Sequence, residues 1–538
     1  MGIGNLDIVN EEFSSDDEIE LLTPFVNNEN VIFGEIKLAG LLKEDLNFDV
    51  EIPKSYPFSD SDISVRFCVK GEPEAAHINL DNSICIHTPR HQDFRARLKF
   101  EISSLKEWRD KYYIRQEKDE RYEYLITSYA DNSCFLFTNV SGDFKKCEFG
   151  EFKYSIFSDL SSNCKGFVSD HAFKLQFGGH KCDWSQIVHS QRSSTGFFVF
   201  IENEPIKRPF RIVTDWSELE PFLNEKFLKM LYDYKSRNLK PHLITLLIGY
   251  NIGDGNYKEI HWQLVSLMSN EIPLYGRKIG PKQYESSCYE QEINWTKCVN
   301  AEYSRFFGRG RLSQKLTSKK VLIIGIGAVG SRLAAILVRS GARFIDVCDG
   351  DIVEPGNICR SDYYLIENQL PKTVALKRHL EAISPFVDVA IKDKLSKRTD
   401  GDKGIKTKDL LESYDLVIDC TSDNELSYLI DQLDLECTTA NISISNEAKE
   451  LVLITGSKLT NQKKTIFSQL GPSEPELIYE GTGCWSPTFK AAGYDIDSML
   501  NLLVQNINHQ IESTDTIRTL VVKREIIENK VMLRTIDY

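Results

Sequence analysis

The chain has 538 residues, with 65 lysines and arginines against 79 aspartates and glutamates, a formal net charge of −14. That balance argues against a general nucleic-acid or anionic-membrane binder, whose affinity rests on excess cations. Its length predicts three or four domains, and apolar runs such as 321–324 and 243–248 fall far short of the ~20 residues that a membrane span needs.

Residues 1–22 are acidic and poor in apolar side chains, and read as a solvated arm or the start of a first helix. Apolar and polar residues then alternate over 31–38, 48–52 and 63–67, which predicts an antiparallel meander. Tyr56-Pro57-Phe58 makes a rigid corner between the last two strands. A polar helix is expected over 103–126, carrying Leu105, Trp108, Tyr112 and Tyr122. Residues 127–300 hold no catalytic constellation and read as a linker or scaffold domain. Strands are expected there at 134–138, 196–201 and 243–248, with a helix over 216–234 opened by Asp215 as its cap.

From about 301 the pattern becomes strand, turn, helix. Residues 321–324 read as a fully buried strand. The helix over 328–340 carries Val329, Leu333, Ile336 and Leu337 on one face, closed by Gly341 as a left-handed cap. Further strands at 344–348 and 416–420 alternate with helices. That alternation predicts an α/β, doubly wound, mainly parallel sheet. The expected domains are 1–126, 127–300 and 301–538, the first two α+β.

Gly325, Gly327 and Gly330 follow the buried strand and open its helix, so the backbone can approach a phosphate at the positive helix end. Asp349 ends the next strand, where a carboxylate can accept ribose hydroxyls. This much suits a nicotinamide enzyme equally well. The residues that follow favour acyl adenylation: Asn357 and Arg360, then Lys372, then Asp423. Arg360 and Lys372 would neutralise triphosphate charge, and Asp423 would hold Mg²⁺ on ATP. In this the segment 301–510 resembles the ThiF/MoeB/ubiquitin-activating adenylation family, whose members bind ATP and adenylate a protein C-terminus. Glu302-Tyr303-Ser304-Arg305 resembles that family's Arg-Tyr-x-Arg, with glutamate at the first position. The resemblance implies that Arg305 reaches the phosphates of a second copy, hence a homodimer.

Thirteen cysteines, with no Cys-x-x-Cys pair and no leader-like start, predict a reducing, cytoplasmic protein with free thiols and no structural zinc. Two of them stand out. Cys484 lies in Gly483-Cys484-Trp485-Ser486-Pro487, ahead of a helix expected over 488–512, where the helix dipole favours a thiolate. Cys348, Cys359, Cys420 and Cys437 read as core residues in or beside the sheet. Cys85 lies near the other end of the chain, after His77-Ile78-Asn79. Residues 20–130 resemble a ubiquitin-conjugating domain, in which a His-Pro-Asn run precedes the active cysteine; here isoleucine stands at the proline position. The resemblance implies that Asn79 stabilises the oxyanion formed at Cys85, and leaves His87 and His91 as candidate proton acceptors.

Together these features imply an ATP-dependent ligase that adenylates a protein C-terminus, captures it on Cys484, passes it to Cys85 and delivers it to an amine such as lysine. Such fusions resemble the ancillary ligases of CBASS anti-phage systems, whose partner is a cGAS/DncV-like nucleotidyltransferase. Two alternatives remain open, a sulfur-carrier adenylyltransferase of the thiamin or molybdopterin type and a non-catalytic scaffold.

Overall fold

The computed structural model describes residues 3–28, 31–58, 65–79, 81–86, 91–117, 134–138, 142–155, 176–181, 193–208, 211–238, 240–252, 259–280, 283–395, 402–470 and 491–538. The chain divides into two compact units, the second beginning at Ala301.

The first unit opens with the helix Ile3–Ser14, which buries Val9 and Phe13. A four-stranded antiparallel sheet follows: Ile19–Asn28, Val31–Leu38, Leu46–Pro53 and Arg66–Val69, in that order. The middle strands alternate buried and half-buried residues, as the period-two pattern predicts. Of the two readings of the acidic first segment, an arm or the start of a helix, the helix is the one found, and Ile19–Asn28 is a strand absent from the sequence reading. The helix predicted at 103 begins at Phe94, nine residues earlier, and runs to Trp108 before one turn of π-helix through Ile114. Asp93 caps it by accepting the Ala96 N–H at 2.8 Å. Residues 118–126 of that prediction lie outside the described residues.

The same unit contains an eight-stranded sheet in which Leu243–Ile252 runs between Glu259–Met268, antiparallel to it, and Ser193–Phe200, parallel to it. The single helix expected over 216–234 is broken. Trp216–Leu219, capped by Asp215, gives way to a 3-10 turn at Pro221, and Glu225–Arg237 restarts from an Asn224 cap. Proline supplies no N–H for a continuing helix, so the break is intrinsic to the sequence.

The second unit is a single eight-stranded sheet. Its order is Ile391–Lys392, Phe344–Cys348, Lys320–Ile324, Leu416–Asp419, Thr438–Ser445, Glu450–Thr455, Leu520–Ile527, Lys530–Asp537. The first five strands are parallel and the last three join antiparallel. The first strand in sequence, Lys320–Ile324, pairs with Phe344–Cys348 on one side and Leu416–Asp419 on the other. Connections therefore leave that strand in opposite directions, opening a crevice at the carboxyl ends of the two neighbours. Val321, Ile323, Leu333, Val347, Leu376 and Leu500 belong to the core beneath it. Among the described residues no helix is long and apolar enough to cross a membrane.

Candidate functional site

Gly325 ends the first strand with φ +78°, and its N–H donates to the Cys348 carbonyl at 2.8 Å. Gly330 opens the helix Gly330–Arg339, two residues later than expected. A Cβ on Gly330 would fall 2.1 Å from the Gly325 carbonyl oxygen, so the turn closes only without side chains. Gly327 is different, because a Cβ there would meet nothing within 4 Å. The loop thus presents bare backbone and open space at a helix N-terminus, an arrangement suited to a phosphate. Gly341 follows the helix with φ +99°, as read.

Asp349 holds this loop in place. Its Oδ2 accepts the Ile326 N–H at 2.9 Å and its Oδ1 accepts the Asp351 N–H at 2.8 Å. The Tyr363 hydroxyl donates to the Ile326 carbonyl at 2.6 Å and fixes the loop from the other side. Lys372 starts the helix Lys372–Ile383, and its Nζ lies 3.2 Å from Asp351 Oδ2. Lys372 is only 8% exposed, so its ammonium is a fixed charge at the strand ends. Asn357 closes a capping box with Glu354, accepting the Glu354 N–H at 3.0 Å. Arg360 is half-buried, and its carbonyl accepts Arg332 Nε at 2.8 Å.

The opposite wall comes from the strand Leu416–Asp419. Asp419 is fully buried and takes bonds from Thr421, Ser427 and Asn441; burial pushes its carboxyl above the usual range. Asp423 is exposed at the N-terminus of the helix Asn424–Leu433. Its Oδ1 accepts the Glu425 and Leu426 N–H groups at 2.8 and 3.4 Å. Both bonds fall on one oxygen, and among the described residues the other takes no hydrogen bond, which suits a hard cation such as Mg²⁺. The glycine loop, Asp349, Lys372 and Asp423 thus converge on one edge of the sheet. A mobile phosphate chain with its cation fits these donors and acceptors. Arg305 is exposed on the short helix Tyr303–Phe306.

Residues 300–457 match the family described as the ThiF family. This segment is a ThiF-family domain. The chain is 26% identical over 343 residues to the ATP-dependent ubiquitin transferase-like protein Cap2 of Enterobacter hormaechei, covering 58% of this chain and 56% of that one. It is 25% identical to the molybdopterin-synthase adenylyltransferase of Haemophilus influenzae over 30% of this chain and 61% of the relative. It thus spans less than two thirds of either relative. Among solved structures, E. coli MccB with ATP aligns at a TM-score of 0.30 and 14% identity, covering 41% of this chain and 64% of that one. PaaA aligns at a TM-score of 0.31 and 17% identity, over 41% and 65%.

Cys484 and its flanks lie outside the described residues, as does His87. The helix expected from 488 is described from Gly493 to Thr514. Cys359 is exposed, not core as read, because the capping box at Glu354 turns the chain outward there. Cys348, Cys420 and Cys437 sit where burial disfavours the thiolate. Burial pushes the Cys348 and Cys437 thiols up to about 11, and Cys420 well above its ordinary value.

Cys85 sits in the first unit on a short hairpin, its N–H donating to the His77 carbonyl at 2.7 Å. Ile78 pairs with Ile84, so Asn79, level with Ser83, lies two residues nearer the turn than the His77–Cys85 level. The Asn79 amide donates to Ser83 Oγ at 2.9 Å, and Ser83 in turn donates to Asp81 at 2.6 Å. Cys85 opens onto a cavity of about 170 Å³ lined by His77, Ser104, Glu107, Trp108 and Tyr112. The His77 and Tyr112 rings pack 4.3 Å apart. Sequence reading missed this wall because it comes from a helix twenty residues further on. His91 instead accepts the Asp93 N–H at 3.1 Å and lies against Phe100.

Proposed function

We propose that the chain is an ATP-dependent protein ligase working through adenylation and a thioester relay. The observation that carries this reading is the converged edge of the second unit, where a bare glycine loop faces a buried lysine and an exposed, helix-capping aspartate. The similarity to an ATP-dependent ubiquitin transferase-like protein supports it.

In the first step a protein C-terminal carboxylate attacks the α-phosphorus of ATP and pyrophosphate leaves. The loop N–H groups would cradle the phosphates, while Asp349 anchors the loop and contacts the ribose. Arg360 and Lys372 would neutralise charge as the pentavalent phosphorus forms, with Arg305 contributing from a second copy and Asn357 holding the Arg360 turn. Asp423 would hold Mg²⁺, which when bound supplies positive charge to the phosphates. The Cys484 thiolate then attacks the acyl carbon and AMP leaves. Cys85 takes the acyl group by thiol exchange, regenerating the Cys484 thiol. Finally an amine such as a lysine attacks, with Asn79 donating to the oxyanion, and the Cys85 thiolate departs. The acyl donor we infer is the C-terminus of a cGAS/DncV-like nucleotidyltransferase or a ubiquitin-like protein, in an anti-phage setting. The three-domain division at 126 and 300, the homodimer and the cytoplasmic location belong to the same reading.

The test is non-reducing electrophoresis of wild type, Cys85→Ala and Cys484→Ala with ATP–Mg²⁺ and the candidate nucleotidyltransferase. A thiol-sensitive adduct lost only in Cys484→Ala, with final conjugates lost in both, is the expected result. Pyrophosphate release without an adduct in any lane would favour a sulfur-carrier adenylyltransferase instead.

A further inference from the structure

The helix that begins at Lys372 carries a histidine two turns further on. Lys372 and His379 are seven residues apart, which places them on one face of the helix Lys372–Ile383. The His379 side chain is only 10% exposed. A carbonyl can only accept, so His379 Nδ1 donates to the Asp362 carbonyl, at 2.9 Å. His379 Nε2 lies 2.7 Å from Oε1 of Glu367, a buried residue whose Oε2 accepts the Tyr364 N–H at 2.9 Å. The Tyr364 ring packs on the imidazole, with centroids 4.6 Å apart. One side chain thus grips both ends of the segment 362–367.

The same segment is tied to the phosphate loop. The Asp362 N–H donates to Ser331 Oγ at 3.0 Å, and Ser331 donates on to the Gly327 carbonyl at 2.6 Å. The next residue, Tyr363, holds the Ile326 carbonyl through its hydroxyl. Arg360, two residues earlier, is anchored by its own carbonyl on Arg332. A continuous tie therefore runs from the helix of Lys372, through His379 and Asp362, to the carbonyls of Ile326 and Gly327.

We propose that His379 is a positioning residue of the nucleotide site. It fixes the segment that follows Arg360 against the helix that carries Lys372, and so sets the spacing of those two cations and the shape of the glycine loop that receives the triphosphate. The inference rests on the ATP-binding reading above. His379 acts through Asp362 and Tyr363 and touches no nucleotide itself. The Asp362 bond carries the effect, because Asp362 and its neighbour reach the loop, whereas the Glu367 contact braces the far end of the segment.

The experiment is calorimetric titration of ATP–Mg²⁺ into the full chain, as wild type, His379→Asn, His379→Gln and Tyr363→Phe, with thermal unfolding of each without nucleotide. Counted in bonds from Cα, the asparagine amide nitrogen stands where Nδ1 stands and keeps the Asp362 bond. The glutamine nitrogen stands where Nε2 stands and keeps only the Glu367 contact. Each variant loses one polar contact, so the two should melt within about 3 °C of each other. His379→Asn should bind ATP within about threefold of wild type, and His379→Gln at least about tenfold more weakly. Tyr363→Phe cuts the tie at its loop end and keeps the ring, and should weaken ATP binding about as much as the glutamine does. ATP binding by His379→Gln equal to wild type overturns the inference. So does equal weakening in His379→Asn and His379→Gln, which would make the histidine a structural residue only. If neither histidine variant folds, undiminished ATP affinity in Tyr363→Phe overturns it. Wild type that binds no ATP overturns the adenylation reading, and the inference with it.

Discussion

Gly325 and Thr421 stand at the ends of neighbouring parallel strands, so close that a Cβ on Gly325 would fall 2.5 Å from Thr421 Cγ2 and 2.9 Å from its amide nitrogen. Gly325 also holds φ +78°, which L side chains rarely adopt. Gly325→Ala therefore meets backbone strain and a clash together, a cost of about 2–4 kcal/mol. Thermal unfolding of the full chain should show a lower transition. A wild-type melting profile would mean that the two strand ends can separate freely, and the crevice geometry would have to be redrawn.

Two residues on, the same substitution should behave differently. Gly327 faces open space, with nothing within 4 Å of its Cβ position. Gly327→Ala should fold within about 0.5 kcal/mol of wild type. It should nevertheless bind ATP markedly more weakly, because the methyl occupies the approach of a phosphate to bare backbone. Calorimetry decides it: undiminished ATP affinity would place the phosphates elsewhere.

The contrast between these two glycines was not legible in sequence, although both were named there. What sequence showed clearly was the sheet. Val321–Ile324 and Leu416–Ile418 are buried in unbroken runs because a parallel strand is covered on both faces. The helix Phe94–Trp108 was started nine residues late for an equally physical reason. Its inward positions include Arg97 and Glu101, which are buried as an i, i+4 ion pair at 3.6 Å and make the segment read as polar. The cavity beside Cys85 depends on Glu107 and Tyr112, and no local pattern announces a contact across that separation. Cys359 read as core by its nearness to the sheet in sequence, whereas its exposure is decided by the turn around Glu354.

Asp423 carries two roles that separate by substitution. It caps the helix Asn424–Leu433 through Oδ1, and in the proposed reaction it holds the metal. Asparagine is as good a cap as aspartate, whereas alanine loses about 1 kcal/mol. Asp423→Asn should therefore melt like wild type but release pyrophosphate at least about tenfold more slowly, the loss of one charge on the metal–phosphate centre. Asp423→Ala should show the same loss of rate together with a lower melting temperature. Unchanged pyrophosphate release in both variants would remove Asp423 from the chemistry and leave it a cap.

His261 gives the first unit a pH-dependent stability that is independent of catalysis. It is 5% exposed, packs against the Phe137 ring, and its Nε2 lies 2.9 Å from the Gln263 side-chain nitrogen. That amide nitrogen only donates, so the imidazole accepts and is neutral. Burial lowers its pKa from 6.5 to about 4. Between those values the unfolded chain binds a proton that the folded chain refuses, so stability is full above pH 6.5 and drains as pH falls toward 4. The contribution is on the order of 2–3 kcal/mol by pH 4.5. Urea unfolding at pH 7 and pH 4.5 should show wild type losing about that much more than His261→Gln, which cannot titrate. Parallel losses in the two proteins would mean that the imidazole is protonated inside the fold, and that the buried cluster of Tyr250, His261 and Gln263 accommodates the charge.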